Sequence, residues 1–261
     1  MNRLSHMVFA FSLFVALYTL VYAYSVWLDF PGQLFDLLFY YVAGGIILTL
    51  VAVPILYWRA PHKEKPGRTM GNMGAVGAMA FVTFCVGSLG GAVAYQFISG
   101  ILIIGDLSIF IGSLIVLAGA LMPDWDIPFL GISRHRNVIF HSFILPFLAV
   151  LLTLINVAQS IASTYSLAIG AHIEFYVTAL FLVGYASHLY LDIFPSDANA
   201  LELIWRTVDV TSEAPTGLKP LGPIKISKKN ARMWLVSNAT LLVLVAAGLM
   251  GLYFYNLAIL P

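Results

Sequence analysis

Seven apolar segments dominate this chain, at roughly 7–28, 34–58, 73–96, 100–122, 138–158, 173–193 and 233–257. A helix needs about 20 mostly apolar residues to cross a bilayer core, and each segment is long enough. The expectation is an all-α, polytopic transmembrane bundle of about seven spans. Charge supports it: 10% of the residues are Asp, Glu, Lys or Arg, against about 25% in a soluble domain. A soluble globule, a disordered chain and a basic nucleic-acid surface are excluded on the same ground. The first segment follows Arg3, as a signal peptide would follow its basic end. Its apolar run exceeds the usual 7–15 residues, so it reads as a retained span.

The distribution of charge sets an orientation. With seven spans, the side holding the N-terminus also holds 58–72, 123–137 and 194–232, and these carry all 13 Lys and Arg residues. The other side has Asp29, Asp36, Asp106 and Glu174. By the positive-inside rule the basic side is the cytoplasm, with the C-terminus outside. An even span count would break the segregation. The localisation that follows is a multi-pass protein of the cell membrane. Tyr22, Tyr24, Trp27, Tyr57, Trp58 and Trp234 fall near span ends, where aromatic belts form. The turn between the third and fourth spans lies within 97–107. Cys85 sits alone in an apolar run, which reads as a buried structural thiol. Asn238-Ala239-Thr240 matches a glycosylation triplet but falls inside the last span. Gly and Ala in the third span suit close helix packing, within one chain or between chains. The long loop 194–232 is rich in Pro and Gly, with one short helix expected near 199–208.

Three polar clusters interrupt the apolar pattern. Met122-Pro123-Asp124-Trp125-Asp126 closes the fourth span. Arg134-His135-Arg136-Asn137, followed by His141-Ser142, opens the fifth. His188-Leu189-Tyr190-Leu191-Asp192 closes the sixth. The orientation was set from Lys and Arg alone, yet it places all three clusters on the cytoplasmic side, with His6. His188 and Asp192 are four residues apart and share a helical face. Asp-x-Asp after a helix-ending proline presents two carboxylates to one centre, and His141 is expected to open a helix. Imidazole and carboxylate donors without Cys suit zinc foremost, with manganese or iron as alternatives. Six such donors suffice for one ion or for two about 3.5–4 Å apart. Each cluster alone has a plainer reading, as a helix-stabilising pair or a polar span end. Their conjunction is what favours the expectation of a metal site.

These motifs resemble the YdjM-like, LexA-regulated membrane-bound metal-dependent hydrolases. That family carries Leu-Pro-Asp-x-Asp, then His-Arg-Gly-x-Thr-His-Ser, then Gly-Tyr-x-Ser-His-x-x-x-Asp. The counterparts are Met122 to Asp126, His135 to Ser142, and Gly184-Tyr185-Ala186-Ser187-His188 with Asp192. Trp205 resembles a Trp that follows the last motif. The resemblance implies Asp124, Asp126, His135, His141, His188 and Asp192 as metal ligands. Ser5-His6 resembles an early Gly-His of the family, which adds His6. It also implies a distant relation to zinc-dependent phospholipase C and P1-type nucleases, and hence phosphoester chemistry. The chain departs from the pattern at Ile127, where the family often has His. It also has one extra residue between His135 and His141, and lacks the Gly and Thr of that motif. On this reading 1–72 is a two-span N-terminal extension and 73–261 the hydrolase-like domain.

The function expected is a membrane-embedded metal-dependent hydrolase acting on a phosphoester or lipid-type substrate at the cytoplasmic face. Asp124 or Asp126 would act as general base. Arg134 and Arg136 would clamp a phosphate, or simply anchor the cytoplasmic side. The alternatives are an ion or metal transporter, or a catalytically degenerate structural protein. Transporter sites usually lie near the midplane between repeats. These clusters lie at span ends, and no repeat is visible.

Overall fold

The computed structural model describes residues 3–29, 31–59, 73–100, 109–194, 208–214 and 217–259. Its helices are α1 (Arg3–Asp29), α2 (Leu34–Arg59), α3 (Met73–Ser99), α4 (Ile109–Leu121), α5 (Asp126–Leu130), α6 (Ile144–Ala149), α7 (Leu151–Thr164), α8 (Ile173–Leu191) and α9 (Lys228–Ile259). Among the described residues there is no strand, only isolated bridges joining Asn137 to Lys219 and Leu221 to Ile224. Leu34–Trp58, Met79–Ser99, Ile111–Leu130 and Lys228–Ala258 are long and apolar enough to cross a bilayer. Ser5–Thr19 and Leu151–Thr164 are shorter apolar helical stretches. The chain is an all-helical membrane protein.

Two segments depart from the expected pattern. The fifth does not run as one helix from 138. Residues 138–143 form turns, α6 begins at Ile144, and the helix breaks at Val150 before α7. Pro146 has no N–H to give the carbonyl of Ser142, so a helix cannot extend back through that turn. His141 therefore sits in the turn ahead of the helix rather than opening it. The sixth segment forms α8, which is absent from the four longest apolar stretches. Glu174, Ser187, His188 and three tyrosines dilute its apolarity. It tolerates them because it is buried along nearly its whole length, from Phe175 to Leu191.

By contacts the chain divides into two units. One comprises Met1–Phe11, Phe110–Asp197 and Asp209–Pro261. Its core is α8. Gly119 and Gly184 bring α4 against α8 so closely that a Cβ on Gly184 would lie 2.0 Å from the Val116 carbonyl oxygen. On another face Tyr176 packs its ring against Tyr253 and Phe254 of α9. Arg232 of α9 donates to the carbonyls of Ile193 and Asp209 and to Ser212. These bonds tie the described part of the long loop to the end of α8.

The other unit comprises Ser12–Ile109 and Ala198–Val208. There α2 and α3 meet through Gly44, Gly87 and Gly91; a Cβ on Gly44 would lie 2.3 Å from the Gly87 carbonyl oxygen. Gly87 and Gly91 of the third span thus make a close helix contact within the chain, whereas a Cβ on Gly90 would meet nothing among the described residues. Tyr22, Val26, Leu37, Ala92 and Tyr95 form the buried cluster. Its two hydroxyls are paired, Tyr95 with Gln33 at 2.9 Å and Tyr22 with Ser99 at 3.1 Å, and beside it Gln96 bonds Tyr18 at 2.7 Å.

The aromatic belt is only partly as expected. Tyr57 and Trp58 are exposed, but Tyr22 is buried and its hydroxyl is used inside the unit. Cys85 is half-buried rather than enclosed. Asp106, Trp205, nearly all of the short helix expected near 199–208, and the side chains of Tyr24 and Trp27 lie outside the described residues.

Candidate metal centre

The first unit gathers the polar clusters at one place. Asp124 stands on a 3₁₀ turn, Met122–Trp125, that continues α4, and Asp126 begins α5. His135 to Ser142 form the loop ahead of α6. His188 is in the last turn of α8, and Asp192 follows that helix. His6 comes from the first turn of α1. Asp126, His141 and His188 are fully enclosed, and Asp192 and His6 nearly so.

Helix packing aims the α8 imidazole. The close approach at Gly119 and Gly184 brings His188 beside the C-terminal end of α4, whose last carbonyls lack helical partners. His188 Nδ1 meets one of them, Ala120 O, at 2.7 Å. A carbonyl only accepts, so Nδ1 carries the proton and Nε2 presents its lone pair inward. His141 is set in the same way, with Nδ1 3.2 Å from Asn137 O.

The two Nε2 atoms converge on Asp192. His141 Nε2 lies 3.1 Å and His188 Nε2 3.6 Å from Asp192 Oδ2. All three atoms are buried without a hydrogen-bond partner. Lone pairs turned toward a carboxylate oxygen repel it unless a cation lies among them. This donor set fits a divalent cation of the zinc, manganese or iron type. His6, His188 and Asp192 each offer a ligand atom within 4.8 Å of the others. The His6 ring also stacks on that of His188, at 3.9 Å between centroids. Asp124 Oδ1 lies 3.9 Å from His188 Nε2 and 4.0 Å from His135 Nε2.

Asp126 is placed differently from Asp124. Its Oδ1 meets His135 Nδ1 at 3.0 Å, and its Oδ2 accepts the Asn137 N–H at 3.0 Å. The Asp126 carboxylate holds His135 above the ordinary imidazole pKa, against the opposing effect of burial. Asp126 therefore orients the ring whose other nitrogen faces Asp124. Arg136 Nη2 donates to Asp192 Oδ1 at 2.9 Å and to the Asp192 carbonyl at 3.2 Å. The side chain of Arg134 lies outside the described residues.

The loop that carries His135 and His141 absorbs its extra residue in turns. The Ile139 N–H bonds the Asn137 side chain, and the His141 N–H returns to Asn137 O at 2.9 Å. Both rings reach the cluster, 5.9 Å apart between centroids. The motif residue Tyr185 donates its hydroxyl to Phe140 O. Two further supports were not legible as motifs: Trp234 donates to the His141 carbonyl, and Asn238 accepts the Phe143 N–H. Trp234 read as a membrane-belt residue and Asn238 as a stray glycosylation triplet. A polar side chain inside an apolar span was the available signal.

The model of the YdjM inner membrane protein family matches residues 86–258, well over half of the chain. His6 lies outside the matched stretch. No curated protein and no solved structure matches the chain.

Proposed function

The chain belongs to the YdjM inner membrane protein family, and from that premise and the converging buried donors we propose a membrane-embedded, metal-dependent hydrolase. The substrate class is a phosphoester or lipid-type ester met at the cytoplasmic membrane face. The seven-span arrangement with a cytoplasmic N-terminus belongs to the same proposal. It rests on the segregation of all 13 Lys and Arg residues to one side.

One observation carries the reading: the unpartnered, buried Nε2 atoms of His141 and His188 face the equally unpartnered Oδ2 of Asp192. His141, His188, Asp192 and His6 would hold the cation, with Asp124 and His135 beside them. When bound, the ion supplies an acidified water and a Lewis acid for a phosphoryl or acyl oxygen. Asp124 accepts the proton of the attacking water, as a carboxylate whose Oδ1 faces the Nε2 atoms of both His135 and His188. Asp126 keeps His135 in register through the Nδ1 hydrogen bond. Arg136 sits where a guanidinium can meet the negative charge of a phosphoryl group. A site at headgroup depth favours a lipid or lipid-linked ester.

The test is hydrolysis by purified protein in nanodiscs, against a panel of phosphoester and acyl-ester lipids. Turnover is expected to vanish with chelator and return with Zn²⁺ or Mn²⁺. Asp124→Ala and His188→Ala are expected to lose turnover while remaining folded. A folded, metal-loaded wild type that cleaves none of the panel overturns the hydrolase reading.

A further inference from the structure

The donor set is rich enough for one ion or two, and the way Asp192 is used decides between them. Its Oδ2 faces His141 and His188. Its Oδ1 lies 3.6 Å from His6 Nε2 and 2.9 Å from Arg136 Nη2. The guanidinium thus lies on the carboxylate oxygen that a second ion would need for Asp192 to bridge. The same nitrogen also donates to the Asp192 main-chain carbonyl, so two acceptors of one residue hold it.

Arg136 is held in place at some cost to its backbone. Its φ is +63°, in the left-handed region that residues other than glycine avoid. The Lys219 N–H donates to Arg136 O at 2.8 Å, and the Val138 N–H returns to Lys219 O at 2.9 Å. This two-bond clamp from the long loop fixes the strained residue with its side chain turned to Asp192.

Among the described residues, the guanidinium of Arg136 pairs with one of the three buried carboxylates, that of Asp192. A second divalent ion next to that guanidinium would add like charge in a low-dielectric site, which is unfavourable. Asp126 is poorly placed to bridge, since both its oxygens already accept hydrogen bonds.

We infer that the centre holds a single divalent cation and that the Arg136 guanidinium stands where a second one would sit. The inference rests on the metal reading of the site and narrows it to a mononuclear centre. The full-length protein in nanodiscs is titrated with Zn²⁺, and separately with Mn²⁺. Bound metal per chain is read by mass spectrometry after desalting, and Mn²⁺ by low-temperature electron paramagnetic resonance. Wild type is expected to saturate at one equivalent with the spectrum of an isolated Mn²⁺. Arg136→Ala is expected to take up a second ion with spin coupling between the two. Arg136→Lys, which keeps the charge, is expected to stay at one. Two coupled ions in wild type overturn this inference and leave the hydrolase reading standing. No metal in a folded wild type overturns both. Arg136→Ala that remains at one ion, or loses the first, overturns the role given to Arg136. If that variant does not fold, the wild-type count and spectrum still decide.

Discussion

Each unit contains a helix pair in glycine contact, and the two pairs do different work. Between α2 and α3 the contact at Gly44 and Gly87 joins helix middles, and among the described residues the polar groups nearby are hydroxyls alone: Thr83 bonds Thr49 and the Met79 carbonyl, while Ser88 is buried without a partner. Between α4 and α8 the contact at Gly119 and Gly184 lies within a turn of the end of α4 and about two turns from the end of α8. There an unused carbonyl, Ala120 O, is left for His188. The same backbone approach gives only packing when it falls mid-helix. It gives an aimed imidazole when it falls beside a terminus. Among the described residues, the grouping of potential ligand atoms is in the first unit alone.

The largest test of that contrast is a pair of glycine substitutions. Gly184→Leu and Gly44→Leu both force a side chain onto a neighbouring backbone. Each is expected to cost about 3 kcal/mol or more, the upper end of overpacking penalties. Only Gly184→Leu is expected to abolish metal uptake, because it separates His188 from Ala120 O. Thermal melts in detergent, run beside metal content, check this. Equal loss of metal in both variants would erase the distinction between the units.

Next in size is Asp192→Asn, which removes charge from the oxygen that faces two imidazoles. Metal affinity is expected to fall by about 100-fold or more in a competition titration, and the melting temperature to fall with it, because Arg136 loses its buried charge partner. Asp126→Asn is expected to lower affinity about 10- to 100-fold, the range for residues that orient a ligand rather than bind. If Asp126→Asn proves as severe as Asp192→Asn, Asp126 is itself a ligand.

Metal uptake is also expected to depend on pH. Bound imidazoles must be deprotonated, so affinity falls as pH drops through their range. His135, raised by Asp126, keeps its proton to a higher pH than an ordinary imidazole. It therefore sets the upper end of the rise, and His135→Ala is expected to move that end to lower pH. A metal titration across pH checks the direction. The smallest effect is expected in the second unit. Tyr95→Phe removes the bond to Gln33, costs about 1 kcal/mol, and leaves metal content untouched.

Much of the candidate site's grouping was legible because the motif residues are the expensive ones. Asp and His at span ends stand out against an apolar background, and His188 with Asp192 share a face by helical period alone. The supports were not legible, because Trp234 and Asn238 act through backbone groups of a loop distant in sequence. Nor did spacing distinguish Asp124 from Asp126. Two positions apart on a turn, they differ only in which neighbours reach their oxygens.

Apolar segment length and charge segregation by themselves determined an all-helical membrane chain, since burial in lipid is a property of composition along the chain. They also determined which residues are candidates for chemistry. The tertiary structure alone decided that the site's unit is discontinuous, drawing His6 from the start of the chain to His188 and Asp192. It decided as well that Arg136 bonds Asp192. Both depend on how closely helices approach and how a loop closes. Local periodicity does not encode either, because the contacts that set them join residues far apart in sequence.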